Sequence, residues 1–172
     1  MAACPTGALT DQVLIDARRC VAYLTIEKRG ALTWGERESI GGWVFGCDQC
    51  QDVCPFNAAP DLGAGWEEFR PHRGAGALLE LAAALRIRSR RQFEARFDGT
   101  PLMRARREGL LRNAAIAAGN TAAARAAPAL VEAAAEDRAA VVRMHCRWAL
   151  FKMRRECDTL PAAAVRDAVE RG

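Results

Sequence analysis

The 172-residue sequence has no apolar run long enough to cross a bilayer; its longest hydrophobic stretches are short and broken by charge. Its first residues, MAACPTGALTDQ, lack the basic region and the apolar stretch of a secretory signal. These absences argue against a membrane partner. They predict a soluble, cytoplasmic chain, in a compartment where thiols stay reduced. Lysine is scarce, with two residues against 23 Arg, and histidine occurs only twice. His72 sits in a Gly/Pro-rich stretch and reads as solvated. His145 adjoins Cys146, but neighbouring helix positions point in different directions, so packing is the expected role. Cysteine, by contrast, is plentiful for a chain of this class: seven residues, which in a reducing compartment point to metal or redox chemistry rather than a disulfide framework.

Five of the seven lie in the first third: Cys4, Cys20, Cys47, Cys50 and Cys54. Cys47-x2-Cys50-x3-Cys54-Pro55 matches the tail of the bacterial ferredoxin run C-x2-C-x2-C-x3-C-P. Two intervening residues let one tight turn aim two sulfurs at neighbouring irons. The residue before proline is pushed to extended geometry, so the chain leaves the turn at Cys54. In two-cluster ferredoxins that last cysteine serves the other cluster. ACPTGA, Ala3 to Ala8, has the form of such a last cysteine, belonging to a motif whose three earlier cysteines do not precede it here. By the same crossing, Cys4 joins Cys47 and Cys50, and Cys20 is the remaining candidate for the fourth position. Cys20 lies in DARRCVAYLTIEKR, which reads as a helix capped by Asp16. The expected set is Cys4, Cys20, Cys47 and Cys50 around one [4Fe–4S] cluster, with Cys54 a ligand of a second, incomplete one. Gly7 and Gly46 allow either close backbone approach to the cluster or ordinary turns. Zinc is the usual occupant of a single C-x2-C, but zinc sites do not need the Cys-Pro exits.

CPTGALTDQVLIDARRCVAYLTIEKRG, IGGWVFGCDQCQDVCPFN and LLRNAAIAAGN together resemble the C-terminal half of the epoxyqueuosine reductase family. The resemblance runs from Cys4 to about Met153 and covers motifs in both halves of the chain. It implies a cobalamin-dependent reduction of an epoxide at the wobble base of queuosine-type tRNA, with electrons relayed through iron–sulfur clusters from an external donor. It further implies an N-terminal cobalamin domain that this sequence lacks, with a separate chain as its expected carrier, so that the truncated chain alone is expected to be inactive. The implied architecture is mostly α: a small ferredoxin-like iron–sulfur domain over residues 1–60, a linker or long loop over 61–77, and a HEAT-like helical domain over 78–172 that helps hold tRNA.

The second half carries its own helix signals. Ser89 is a candidate N-cap for RRQFEARF, and Thr33 with Glu36 forms a capping-box pattern. Thr100 followed by Pro101 marks the start of a helix expected to end at Gly119-Asn120. A further helix is expected from about Arg138 to Met153, and a short one after Pro161. In the former, Val142, Cys146, Ala149, Leu150 and Met153 make one apolar stripe; Val141, Met144, Trp148 and Phe151 make another. Arg143, Arg147 and Arg154 share a third face. Trp34, Trp43, Trp66 and Trp148 read as core anchors, and Cys157 has no partner at metal spacing.

Charge is concentrated. From Arg86 to Arg112 there are nine Arg and three acidic residues, a local net of +6 in a chain whose net is +4. That is the footprint expected for a phosphate backbone, and Arg suits bidentate phosphate contact. A solvated helix face in an Arg-rich, Ala-rich sequence is the plain alternative. The candidate tRNA contacts are Arg88, Arg91, Arg104, Arg107 and Arg112. Two other functions fit the same residues: a stand-alone one-cluster ferredoxin-like electron carrier with a helical docking domain, and a zinc-stabilised HEAT-like binding module.

Overall fold

The computed structural model describes residues 2–10, 14–57, 76 and 78–156. Trp66, His72, Cys157, the helix expected after Pro161 and nearly all of the expected linker lie outside the described residues. The chain is mostly α, as expected. Among the described residues eight α-helices follow in order: α1 (Val21–Ile26), α2 (Trp34–Ile40), α3 (Gln49–Asp52), α4 (Leu81–Leu85), α5 (Arg90–Phe97), α6 (Arg106–Asn120), α7 (Ala127–Glu136) and α8 (Ala140–Glu156). Among the described residues, extended pairing is limited to one bridge between Leu9 and Ile15, flanked by hydrogen bonds from Thr10 N to Leu14 O (2.9 Å) and from Asp16 N to Ala8 O (2.8 Å).

Local signals place the helix starts. Thr33 accepts a hydrogen bond from the Glu36 amide, and the Glu36 carboxylate accepts one from the Thr33 amide at 2.8 Å, closing a capping box on α2. Ser89 and Gln92 do the same for α5. Two expectations are corrected. Asp16 caps a single 3-10 turn, Ala17–Arg19, rather than a helix containing Cys20; Cys20 is extended (φ −73°, ψ 122°) and stands just ahead of α1. The segment after Thr100 is also not one helix. Pro101–Ala105 form a 3-10 turn, and Arg106 at φ +59° redirects the chain at the first residue of α6.

α6 is the centre of the molecule. Every residue from Leu110 to Gly119 is buried, and α8, α4, α2 and α1 all lie against it, with α7 packed on α8 and α4. A helix covered on all sides needs small residues where neighbours come closest, and NAAIAAGN supplies them. The helix ends at Asn120, as expected, with Thr121 as its C-cap. Gly119, in its last turn, is also a close approach: a Cβ there would stand 2.9 Å from the Ala149 Cα and 3.0 Å from the Trp148 ring. Leu24, Leu32 and Ile40 from the cysteine-bearing segment enter the same core as Leu85, Phe97, Leu130 and Leu150, so both halves of the chain share one interior.

α8 buries its first stripe (Val142, Cys146, Ala149, Leu150, Met153) but only part of the second. Trp148 is covered by the edge of Trp34 at 5.8 Å between centroids, while Met144 and Phe151 stay exposed. His145 is fully buried as a core residue. Its Nδ1 hydrogen-bonds the Val141 carbonyl at 2.6 Å and its Nε2 faces the Leu32 amide at 3.3 Å, so the neutral Nδ1–H tautomer satisfies both contacts. Burial, with Arg37 and Arg112 nearby and despite the Val141 carbonyl, lowers its pKa from 6.5 to about 4. The folded pKa lies below the unfolded one. The neutral ring's contribution is therefore complete above pH 6.5 and is lost as pH falls toward 4. That loss is expected to total about 3 kcal/mol. Urea titrations at pH 7 and pH 4.5 on wild type and His145→Gln should show a steeper loss in wild type; parallel losses would refute it.

Candidate metal centre and basic cleft

Cys20, Cys50 and Cys4, from three stretches of chain with Cys47, come near enough to act electrostatically on the Cys47 thiol. Cys4 sits in a tight turn closed by Gly7 N donating to Cys4 O (3.2 Å), and Gly7 at φ +58° makes that turn possible. The Ala8 amide donates to Cys4 Sγ at 3.2 Å, and the Thr6 hydroxyl lies 3.6 Å from the same sulfur. Burial raises the Cys4 pKa, but the Thr6 hydroxyl and the amides of Thr6, Ala8 and Leu9 outweigh it and bring it down to about 7. Cys4 is thus partly thiolate at neutral pH, the form that binds metal. Cys47 is pushed up, first by burial and then, against a hydrogen bond from the Gln49 amide, by repulsion from Cys20, Cys50 and Cys4. All three therefore lie within electrostatic reach of its sulfur. All of these thiols are free of disulfides.

Cys50 belongs to α3 and is exposed; Cys4, Cys20 and Cys47 are half-buried. Cys54 follows α3, where its amide donates to Gln51 O at 3.1 Å and its carbonyl accepts from Asn57 N at 2.9 Å. Its neighbours Val53 and Phe56 are strongly exposed, Phe56 at 95%. Among the described residues no three His, Cys, Asp or Glu side chains are grouped closely enough to hold a single metal ion. A polynuclear cube takes each thiolate at a different corner, so its sulfurs stand farther apart. An all-thiolate donor set, amides aimed at sulfur, and thiols whose mutual repulsion iron would relieve all fit such a cluster.

On the other side of α1 lies a cleft of about 880 Å³ between the α1–α2 connection and the starts of α5, α6 and α8. Eight basic residues line it against two acidic ones, Glu94 and Glu108. Arg29, Arg90, Arg106 and Arg138 are exposed within it, and Arg106 and Arg138 have no ion-pair partner among the described residues. α6 begins there with no side-chain cap, which leaves its positive end open to an anion.

The five arginines expected to meet tRNA fare differently. Arg112 is 1% exposed; its guanidinium donates to the carbonyls of Leu24, Lys28 and Gly30, so it is a structural residue and not a surface contact. Arg107 pairs with the buried Asp137 and donates to Ile87 O at 2.8 Å. Arg88 pairs with Glu132 and, at 3.9 Å, with Glu136. Arg104 is exposed but pairs with Glu27, and Arg91 is exposed outside the cleft. The open cations, Arg106 and Arg138, were not among the candidates, nor was Arg29, which is exposed but donates to the Ile26, Ala105 and Arg104 carbonyls. Arg106 lay inside the basic run, whereas Arg29 and Arg138 are brought to it only by the fold.

Residues 1–57 match the family described as a 4Fe-4S double cluster binding domain. The chain is 41% identical over 148 residues to an epoxyqueuosine reductase of Pseudomonas aeruginosa, covering 86% of this chain and 40% of that one. It is 39% identical over 122 residues to the epoxyqueuosine reductase of Escherichia coli, covering 70% and 31%. Among solved structures, epoxyqueuosine reductase from Bacillus subtilis superposes with a TM-score of 0.78 at 29% identity, covering 98% of this chain and 48% of that one. An epoxyqueuosine reductase in complex with an epoxyqueuosine-modified tRNA-Tyr stem loop superposes with a TM-score of 0.75 at 29% identity, covering 97% and 46%. The chain spans about two-fifths of the length of the curated relatives it matches.

Proposed function

Because the chain belongs to the epoxyqueuosine reductase family, we propose that it supplies the electron-handling and tRNA-holding part of that reaction. Cys4, Cys20, Cys47 and Cys50 hold one [4Fe–4S] cluster, and Cys54 stands apart as a ligand to another. The observation that carries this is that Cys4, Cys20 and Cys50 all lie within electrostatic reach of Cys47. The cluster, when bound, supplies one-electron transfer from an external donor toward the cobalamin that reduces epoxyqueuosine. No described residue is assigned to cobalamin. The protein's own part is to fix four thiolates, keep Cys4 readily ionised, and tune the sulfurs through amide hydrogen bonds such as Ala8 N to Cys4 Sγ.

Anaerobic reconstitution tests the reading. About four iron and four sulfide per chain are expected, with a brown colour that bleaches on reduction. Zinc without iron, or two full clusters, would overturn it.

The cleft is the proposed seat of the tRNA backbone. Its cations reach phosphate from several elements at once, and the complex of a structural neighbour with a tRNA stem loop supports the substrate class. The combined Arg106→Glu, Arg138→Glu variant is expected to bind a queuosine-type tRNA stem loop roughly tenfold more weakly at low salt. The slope of log K against log salt should flatten by about 2. An unchanged affinity and slope would move the tRNA elsewhere.

A further inference from the structure

The cysteine segments do not hold themselves in place. Cys20 stands at the start of α1, and Cys47 follows a glycine, Gly46, at φ +73°. A Cβ on Gly46 would meet nothing within 4 Å, so the glycine is needed for its backbone conformation and not for space. Something must hold that turn against α1. Thr25 of α1 is fully buried; its hydroxyl donates to Val21 O at 2.8 Å and accepts from the Gly46 amide at 3.0 Å. Asn113 of α6, also fully buried, spends both amide protons on the same join, one on Thr25 O at 2.7 Å and one on Val44 O at 2.9 Å. Its Oδ1 accepts from Arg112 Nε (3.1 Å) and Nη2 (3.0 Å), which fixes the way the amide faces.

We infer that Asn113 and Thr25 are positioning residues for the cluster: they set the separation and tilt between the Cys20 segment and the Cys47–Cys50 segment. Neither touches a sulfur. Each bridges parts of the chain far apart in sequence, 88 and 69 residues for Asn113 and 21 for the Thr25 hydroxyl. A buried polar group placed for packing alone needs one partner; these two are saturated, and their shared partners are the backbone of the two ligand-bearing segments. The inference rests on the cluster reading above.

Thr25→Val keeps the side-chain shape and removes the hydroxyl; Thr25→Ser restores it. In the reconstituted protein, Thr25→Val is expected to release iron to a chelator roughly fivefold faster than wild type, the effect of one lost hydrogen bond. It should also change the EPR signature of the reduced cluster, and Thr25→Ser should restore both. Leu130→Ala, a core truncation in α7, controls for general loosening. If it speeds release and alters the EPR signal as much as Thr25→Val, or if Thr25→Val matches wild type, the positioning role is refuted while the cluster reading stands. If wild type takes up no iron, the cluster reading fails and this inference falls with it.

Discussion

Arg112→Met is expected to lower the unfolding free energy by about 3–5 kcal/mol, the scale for breaking a buried, hydrogen-bonded charged group. The guanidinium is 1% exposed and has no carboxylate beside it. Instead it donates to Lys28 O and Gly30 O, each at 2.8 Å, to Leu24 O at 2.9 Å, and to Asn113 Oδ1. Burial, followed by repulsion from Arg29 and opposed by attraction from Glu36, holds its pKa down to about 10, so it remains charged at neutral pH. Methionine fills most of the volume but takes that donor away from the buried Leu24 carbonyl, the part-buried Lys28 and Gly30 carbonyls and the Asn113 oxygen. Those carbonyls belong to α1 and the turn that follows it, so the loss also loosens the wall of the basic cleft. Arg112→Lys should recover little, because a single ammonium cannot reach carbonyls spread across the fork. Urea titration of the reduced, metal-free protein measures the difference; a loss below about 1 kcal/mol would contradict the clamp.

Arg112 also marks where sequence reading stops. Nine arginines in 27 residues announce positive charge, yet composition cannot separate a guanidinium turned to carbonyls from one turned to solvent. Arg106 and Arg112 lie six residues apart in the same run; the first is open to the cleft and the second is sealed inside. Lys28 and Arg29 reach the same cleft from a segment about 80 residues earlier, and no local pattern reveals that. Local chemistry, by contrast, was legible. The Thr33–Glu36 box reads directly because its partners are three residues apart, and so does the Ser89 cap. Gly119-Asn120 correctly marks the end of α6, but the sequence does not reveal the glycine's second role, in which the missing Cβ admits Ala149. The cysteine motif lies between these cases. Its spacings are local and name the chemistry, whereas the membership of Cys4 and Cys20 depends on chain crossing that only a fold can display.

Single replacements of Cys4, Cys20, Cys47 or Cys50 by alanine are expected to abolish the cluster, taking bound iron from about four per chain to near zero after anaerobic reconstitution and desalting. Alanine is the informative choice, since serine leaves an oxygen that can still ligate. The loss should be nearly complete because three thiolates leave one iron corner open to solvent and chelator, and because the site depends on several charges neutralising together: Cys47 already feels Cys20, Cys50 and Cys4. Cys54→Ala should retain the iron, as it stands beyond α3 and its Cys-Pro spacing assigns it to another cluster. Cys146→Ala is the second control. That thiol is fully buried in α8, and burial, with Asp137 adding to it and Arg88 opposing, pushes its pKa up to about 12, so it stays protonated and cannot ligate iron. The decisive comparison is Cys20 against Cys54. Both are free and half-buried, and only their position relative to Cys47 separates them. Iron lost from Cys54→Ala but kept by Cys20→Ala would reverse the assignment and make the C-x2-C-x3-C run a ligand set of its own.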